Sequence, residues 1–145
     1  MLRVNEIVDS TTACDEVLSL PYEQRQKSRQ RARLDSGLEV SLVLPRGTVL
    51  RHGDCLRSKD GRLIEVQAQA EAVSSVCADD TLLLMRAAYH LGNRHVPLQI
   101  AATALYYRQD HVLDAMLTQL GLTVVHQTAP FEPEGGAYGG GHGHH

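Results

Sequence analysis

The chain has 145 residues, a formal net charge of -3 with histidine neutral, 43% hydrophobic and 21% charged residues, the composition of an ordinary globular protein of one domain or two small ones. Trp is absent and Phe occurs once, so the core is aliphatic. The acidic balance gives no global electrostatic case for nucleic acid, and no apolar run reaches the roughly 20 residues of a membrane span.

The N-terminus, Met1 to Glu6, lacks a charged segment followed by an apolar one, so no secretory signal is visible. Cys14, Cys55 and Cys77 are far apart and odd in number. They suggest neither a disulfide framework nor a CxxC zinc pair, and reduced thiols in a cytoplasm are the simplest reading.

Up to about residue 66 the chain reads as strands and turns. Turn signals recur at Asp35-Ser36-Gly37, Pro45-Arg46-Gly47, His52-Gly53-Asp54 and Lys59-Asp60-Gly61, a spacing that favours a small all-β unit. Asp15 to Leu20 reads as a short helix or a loop ending at Pro21. Arg25, Lys27, Arg29, Arg31 and Arg33 alternate, so in an extended segment they line one face. The default for such a row is a solvated face, and the functional alternative is a small patch for an anionic partner. No aromatics interleave, which argues against single-stranded nucleic acid.

From about residue 70 the periodicity changes. Val73 to Cys77 reads as a strand, with Cys77 expected to be buried. Residues 80 to 91 read as a helix with Leu84, Ala87, Ala88 and Leu91 on one face. Gly92 is expected to end it in the left-handed conformation. Pro97 to Ile100 and Leu105 to Tyr107 read as two strands, with Tyr106 and Tyr107 on opposite faces. Asp110 is an N-cap candidate for a helix whose apolar face is Leu113, Met116, Leu117 and Leu120, closed by Gly121. Asp114 is read as an exposed carboxylate on that helix. Leu122 to Val125 reads as a last strand. The order is βαββαβ, the ferredoxin-like arrangement, so the expected class is α+β: an N-terminal all-β domain over 1–68, a ferredoxin-like domain over 69–128 and a mobile Gly/His-rich tail over 129–145.

His95 follows the first of these helices, where the backbone leaves it and the side chain is expected to be exposed. Imidazole is a good ligand for nickel, copper and zinc. One imidazole is too few, so further donors are expected from a second copy of the chain or from the tail histidines His142, His144 and His145. His111, in the first turn of the next helix, is an accessory candidate. His52, His90 and His126 read as structural or solvated. A metal-dependent hydrolase using His95, His111 and Asp110 is disfavoured, because no HExxH or tight His/Asp cluster is present.

Several linked motifs, Arg86 to His95 with its GNRH ending, Pro97 to Ile100, Asp110 to Leu117 and Ala129 to Tyr138, together with Lys27 to Arg33 and Leu44 to Leu50, resemble the UreE-type urease accessory proteins. The resemblance covers nearly the whole chain. It implies a nickel metallochaperone rather than an enzyme, with a partner-engaging N-terminal domain and a homodimer joined through the second domain. It implies nickel binding by His95, the histidine of the GNRH motif, at the dimer interface. The H-x-H pair of some members corresponds here to Gln109 and His111, so only half is present. Implied partners are the urease accessory GTPase, other accessory proteins and, through them, apo-urease. Nickel comes from the resemblance, since zinc and copper suit the same imidazoles in vitro. The alternatives are a metal-independent interaction module and a nickel store, the latter poorly served by three tail histidines.

Overall fold

The computed structural model describes residues 1–9 and 13–135. The chain forms two compact units, Met1–Gln69 and Ala70–Glu134. The architecture is mixed α+β, with a sheet-rich first unit and a second built from helices and strands.

The first unit contains β1 (Leu2–Val8), β2 (Glu16–Leu20), a short α1 (Tyr22–Arg25), β3 (Arg29–Arg33), β4 (Glu39–Val43), β5 (Cys55–Ser58) and β6 (Leu63–Ala68). These strands form one sheet in the order β2-β6-β5-β1-β4-β3. β1 runs parallel to β4 and β2 parallel to β6, while the other pairings are antiparallel. Alternation in the strands sends Val4, Leu18, Val40, Leu42, Leu56, Ile64 and Val66 into one aliphatic core, as period-2 side-chain geometry requires.

Two readings of this half are corrected. Asp15 to Leu20 is neither helix nor loop; Glu16–Leu20 is a strand paired along its length with β6. Val17 and Leu18 find partners there that a local reading does not reveal. Arg25 also leaves the expected row of cations. It is fully buried in α1, donating from Nε to the Leu20 carbonyl at 3.0 Å and from Nη1 to the Leu50 carbonyl at 3.3 Å, with its guanidinium 5.7 Å from the Tyr22 ring centre. A planar, weakly hydrated cation tolerates such a site when its donors are satisfied.

The second unit runs β7 (Glu71–Cys77), α2 (Thr81–Asn93), β8 (Gln99–Ile100), β9 (Ala104–Arg108), α3 (His111–Gln119) and β10 (Val124–Ala129). Its sheet order is β10-β7-β9-β8, with every neighbouring pair antiparallel. Leu84, Ala87 and Leu91 of α2 and Leu113 and Leu117 of α3 meet Val76, Leu105 and Tyr107 of the sheet. Both helices start as their sequences require. The Asp80 carboxylate accepts from the Leu83 amide at 3.2 Å, and that of Asp110 accepts from Val112 at 2.9 Å and Leu113 at 3.3 Å, satisfying otherwise free amides. α3 ends at Gly121 with φ +103, where the amides of Gly121 and Leu122 donate to the carbonyls of Thr118 and Leu117, a Schellman closure.

The last strand begins and ends later than expected. β10 pairs with β7 from Val124 to Ala129, and the chain beyond it is held. Phe131 is fully buried. The amides of Glu132 and Glu134 donate to Gln99 Oε1 at 2.9 Å and to the Leu98 carbonyl at 2.8 Å. Residues 129–134 therefore do not form part of a mobile tail: one large aromatic and two hydrogen bonds from backbone amides offset the ordering entropy. Cys77 is exposed rather than buried, because it is the last residue of β7.

Candidate metal centre

His95 is exposed and is the one non-glycine with positive φ, +58, among the described residues. Gly92 does not end the helix as expected; it lies inside α2, and the C-cap is Arg94. The His95 amide donates to the Gly92 carbonyl at 2.9 Å and the Arg94 amide to Leu91 at 3.1 Å. His95 thus occupies the left-handed position that usually belongs to glycine, with its imidazole in solvent. A bulky residue there carries a backbone cost of order 1–3 kcal/mol, and such costs concentrate at functional positions.

His111 is the first residue of α3 and is also exposed. The lining of a cleft of about 390 Å³ includes Val96 and Pro97, which follow His95, and Gln109 and Asp110, which precede His111. Gln109, where an H-x-H pair would have its first histidine, is instead tied by Nε2 to the Val73 carbonyl at 3.2 Å. His142, His144 and His145 lie outside the described residues. Among the described residues no three His, Cys, Asp or Glu side chains cluster as a ligand set.

Two other groupings escaped the sequence reading. Asp114 is not a free surface carboxylate. Its Oδ1 accepts from Ser74 Oγ at 2.8 Å and Tyr107 OH at 2.5 Å, and its Oδ2 lies 2.6 Å from His126 Nε2. Burial opposes the ionised form, but the bonds from Tyr107, His126 and Ser74 outweigh it and hold this carboxyl below the usual carboxylate range. Burial first, then the Asp114 carboxylate, pushes the Tyr107 hydroxyl pKa up. The cluster ties α3 to β7, β9 and β10. That Tyr106 and Tyr107 lie on opposite faces was legible, but nothing local signals that Tyr107, Ser74 and His126 converge on the same carboxylate.

The second grouping is Cys14 and Cys55, whose sulfurs lie 3.5 Å apart although 41 residues separate them. Desolvation, with the neighbouring Cys55 adding to it, pushes the Cys14 thiol up to about 11. His52 is structural: its Nδ1 accepts from the Ala68 amide at 3.0 Å.

Among the described residues no helix is long and apolar enough to cross a membrane. The family model for the UreE urease accessory protein, N-terminal domain, matches residues 4–69, and that for the C-terminal domain matches residues 71–145. A urease accessory protein UreE of Alkalilimnicola ehrlichii is 59% identical over 140 residues, covering 97% of this chain and 86% of its own. Namesakes from Ralstonia nicotianae and Burkholderia thailandensis are 61% and 58% identical over 127 residues, 88% of this chain. The match spans 60% of the length of each of those two.

Fold, exposed turn histidine and relatives together define an α+β accessory protein of two units. The chain belongs to the UreE urease accessory protein family.

Proposed function

We propose that this chain is a nickel carrier in urease maturation, non-enzymatic and cytoplasmic, and that it works as a homodimer. In this reading the second unit is a ferredoxin-like metal-binding and dimerisation domain, a reading supported by its βαββαβ order and its β10-β7-β9-β8 sheet. The observation that carries the proposal is His95, exposed and held at φ +58 at the end of α2.

The same helix supports a dimer. Leu82, Met85 and Tyr89 recur at i, i+3 and i+7 and are 54%, 62% and 68% exposed, an apolar stripe on the side of α2 away from its core residues. A twofold axis near the end of this stripe would set two His95 imidazoles side by side, since an isologous interface pairs each residue with its own copy. Water or tail histidines (His142, His144, His145) complete the shell, and His111 serves as an accessory donor. The α3 N-terminus disfavours a cation beside His111, an effect the Asp110 carboxylate offsets. A shell of a few imidazoles and water exchanges ligands more readily than a closed thiolate site, which suits delivery. The recipients are the urease accessory GTPase, the other accessory proteins and, through them, apo-urease.

Imidazoles must be unprotonated to bind, so affinity should fall on acidification. The test is calorimetric nickel titration of the protein, of His95→Ala and of a variant ending at Tyr138. One tight nickel per dimer, lost with His95 and only weakened by truncation, is the expected result. Tight binding that survives His95→Ala and vanishes with the tail would move the site to the C-terminus. Partner binding unchanged by EDTA, with no tight nickel at all, would favour a metal-independent module.

A further inference from the structure

The first unit concentrates the chain's positive charge: eleven of its fourteen Lys and Arg precede residue 70. Several of them gather around one strand. Arg3 of β1 and Arg31 of β3 are both in register with Ser41 of β4, which lies between them. The three residues form one row across the outer face, with the two arginine backbones roughly 10 Å apart. The Lys59 amide donates to the Arg3 carbonyl at 2.9 Å, adding a third cation to the end of the row. Arg3, Arg31 and Lys59 line a cleft of about 570 Å³ together with Asn5, Ser41 and the half-exposed Val43.

A second cleft, of about 710 Å³, carries Lys27, Arg29 and Arg46 beside Leu44 and Pro45. Arg29 and Arg31 lie two apart on β3 and so share a face, which makes the two clefts neighbours along that strand. Their lining holds six cations and not one carboxylate. The nearby acids are otherwise engaged, Glu39 with Arg33 at 3.4 Å and Glu6 with Arg57 at 2.8 Å. β3 is also an edge strand of its sheet, where an extended segment can add alongside.

We propose that these clefts form a docking surface for an acidic, extended segment of a partner protein, lying along β3 with carboxylates at alternate positions over Arg29 and Arg31. Alternate side chains of an extended chain repeat at the spacing of the arginines on β3. Uncompensated cations gain most from an oppositely charged ligand, which also speeds its encounter. Val43 and Pro45, both exposed, supply the apolar contact that a peptide uses and a bare phosphate does not. The absence of aromatic side chains from both linings removes the stacking that single-stranded nucleic acid requires. The proposal rests on the reading of the first unit as the partner-engaging half, and names the chemistry of the partner.

The test uses the full chain and a fluorescein-labelled peptide alternating Glu and Ala, followed by anisotropy. Saturable binding is expected that weakens as salt rises from about 0.01 to 0.15 M, over which the Debye length shrinks from about 30 to 8 Å. Arg3→Gln with Arg31→Gln should weaken it about tenfold or more, while Arg62→Gln with Arg86→Gln, the same charge change elsewhere, should leave it within about twofold. Circular dichroism checks that each variant is folded, and single Arg31→Gln replaces the double variant if that one is not. No saturable binding, equal binding by the Arg3/Arg31 variant, or displacement by inorganic phosphate or oligo-dT as effective as by unlabelled peptide would overturn the proposal. Nickel titration of the same samples keeps the two readings separate. Peptide binding without tight nickel would sink the carrier and leave the docking surface, and the reverse would sink the docking surface alone.

Discussion

The His95 amide donates to the Gly92 carbonyl at 2.9 Å, and it is the histidine rather than the glycine that takes the left-handed turn, at φ +58. The two residues have exchanged their expected roles at the end of α2. Helix closure alone would be better served by glycine at position 95. An imidazole at that position despite its Cβ is consistent with the proposed ligand role of His95.

That exchange separates ligation from strain. His95→Gly should be at least as stable as His95→Ala in urea unfolding, because only glycine relieves the left-handed backbone. Both should lose tight nickel. If His95→Gly is less stable than His95→Ala, the strain at this turn is not what the dihedral implies.

Gly92 makes the complementary case. It lies in α2, and a Cβ built there meets nothing within 4 Å. Gly92→Ala should therefore stabilise the protein by about 0.5–1 kcal/mol through helix propensity. A loss of stability in chemical denaturation would contradict it.

Asp114 joins α3 to three strands through Ser74, Tyr107 and His126. Asp114→Ala should cost about 1–3 kcal/mol by leaving the Tyr107 hydroxyl buried without its acceptor. The carboxyl is held below its ordinary value in the fold, so its contribution is complete above about pH 4, where the unfolded group ionises. It is lost as pH falls through the depressed folded value. Unfolding free energy should thus drop on acidification below about pH 4 by less in Asp114→Ala than in the parent.

Met85 lies in the middle of the exposed stripe of α2. Met85→Glu should shift the protein toward monomer in sedimentation equilibrium and lower the nickel bound per chain, with the fold intact by circular dichroism. An unchanged dimer would move the interface off this face.

Cys14 and Cys55, 3.5 Å apart at sulfur, should be oxidisable to a disulfide. Each thiol gives up a proton and the pair gives up two electrons, which reduce one oxidised glutathione to two thiols. Thiol titration should fall from three to one, the remaining thiol being the exposed Cys77, and Cys14→Ser should prevent it. Because the Cys14 thiol is pushed up to about 11, the reaction should accelerate with rising pH as thiolate forms. Three titratable thiols after prolonged oxidation would rule the pairing out.

Much of the second unit was legible in the chain itself. The period of Leu84, Ala87 and Leu91, the capping Asp110, and Gly121 after Leu120 are local signals, and each acts within a few residues of where it is read. His95 was singled out as a candidate ligand by its place after α2 and by the resemblance that its GNRH segment carries. Local periodicity failed where partners are remote. Glu16–Leu20 becomes a strand because β6 lies beside it, Arg25 is buried because the Leu20 and Leu50 carbonyls receive it, and Phe131 is ordered because the fold buries it completely. The sequence by itself determined the two-part α+β order, the helix starts and the candidate ligand, since backbone propensity and side-chain periodicity are short-range. Only the tertiary structure decided that Ser74, Tyr107 and His126 meet at Asp114, that two cysteines 41 residues apart touch, and that Arg3 and Arg31 face one cleft. Those meetings depend on strand order and register, which are set by packing of the whole core rather than by any one segment.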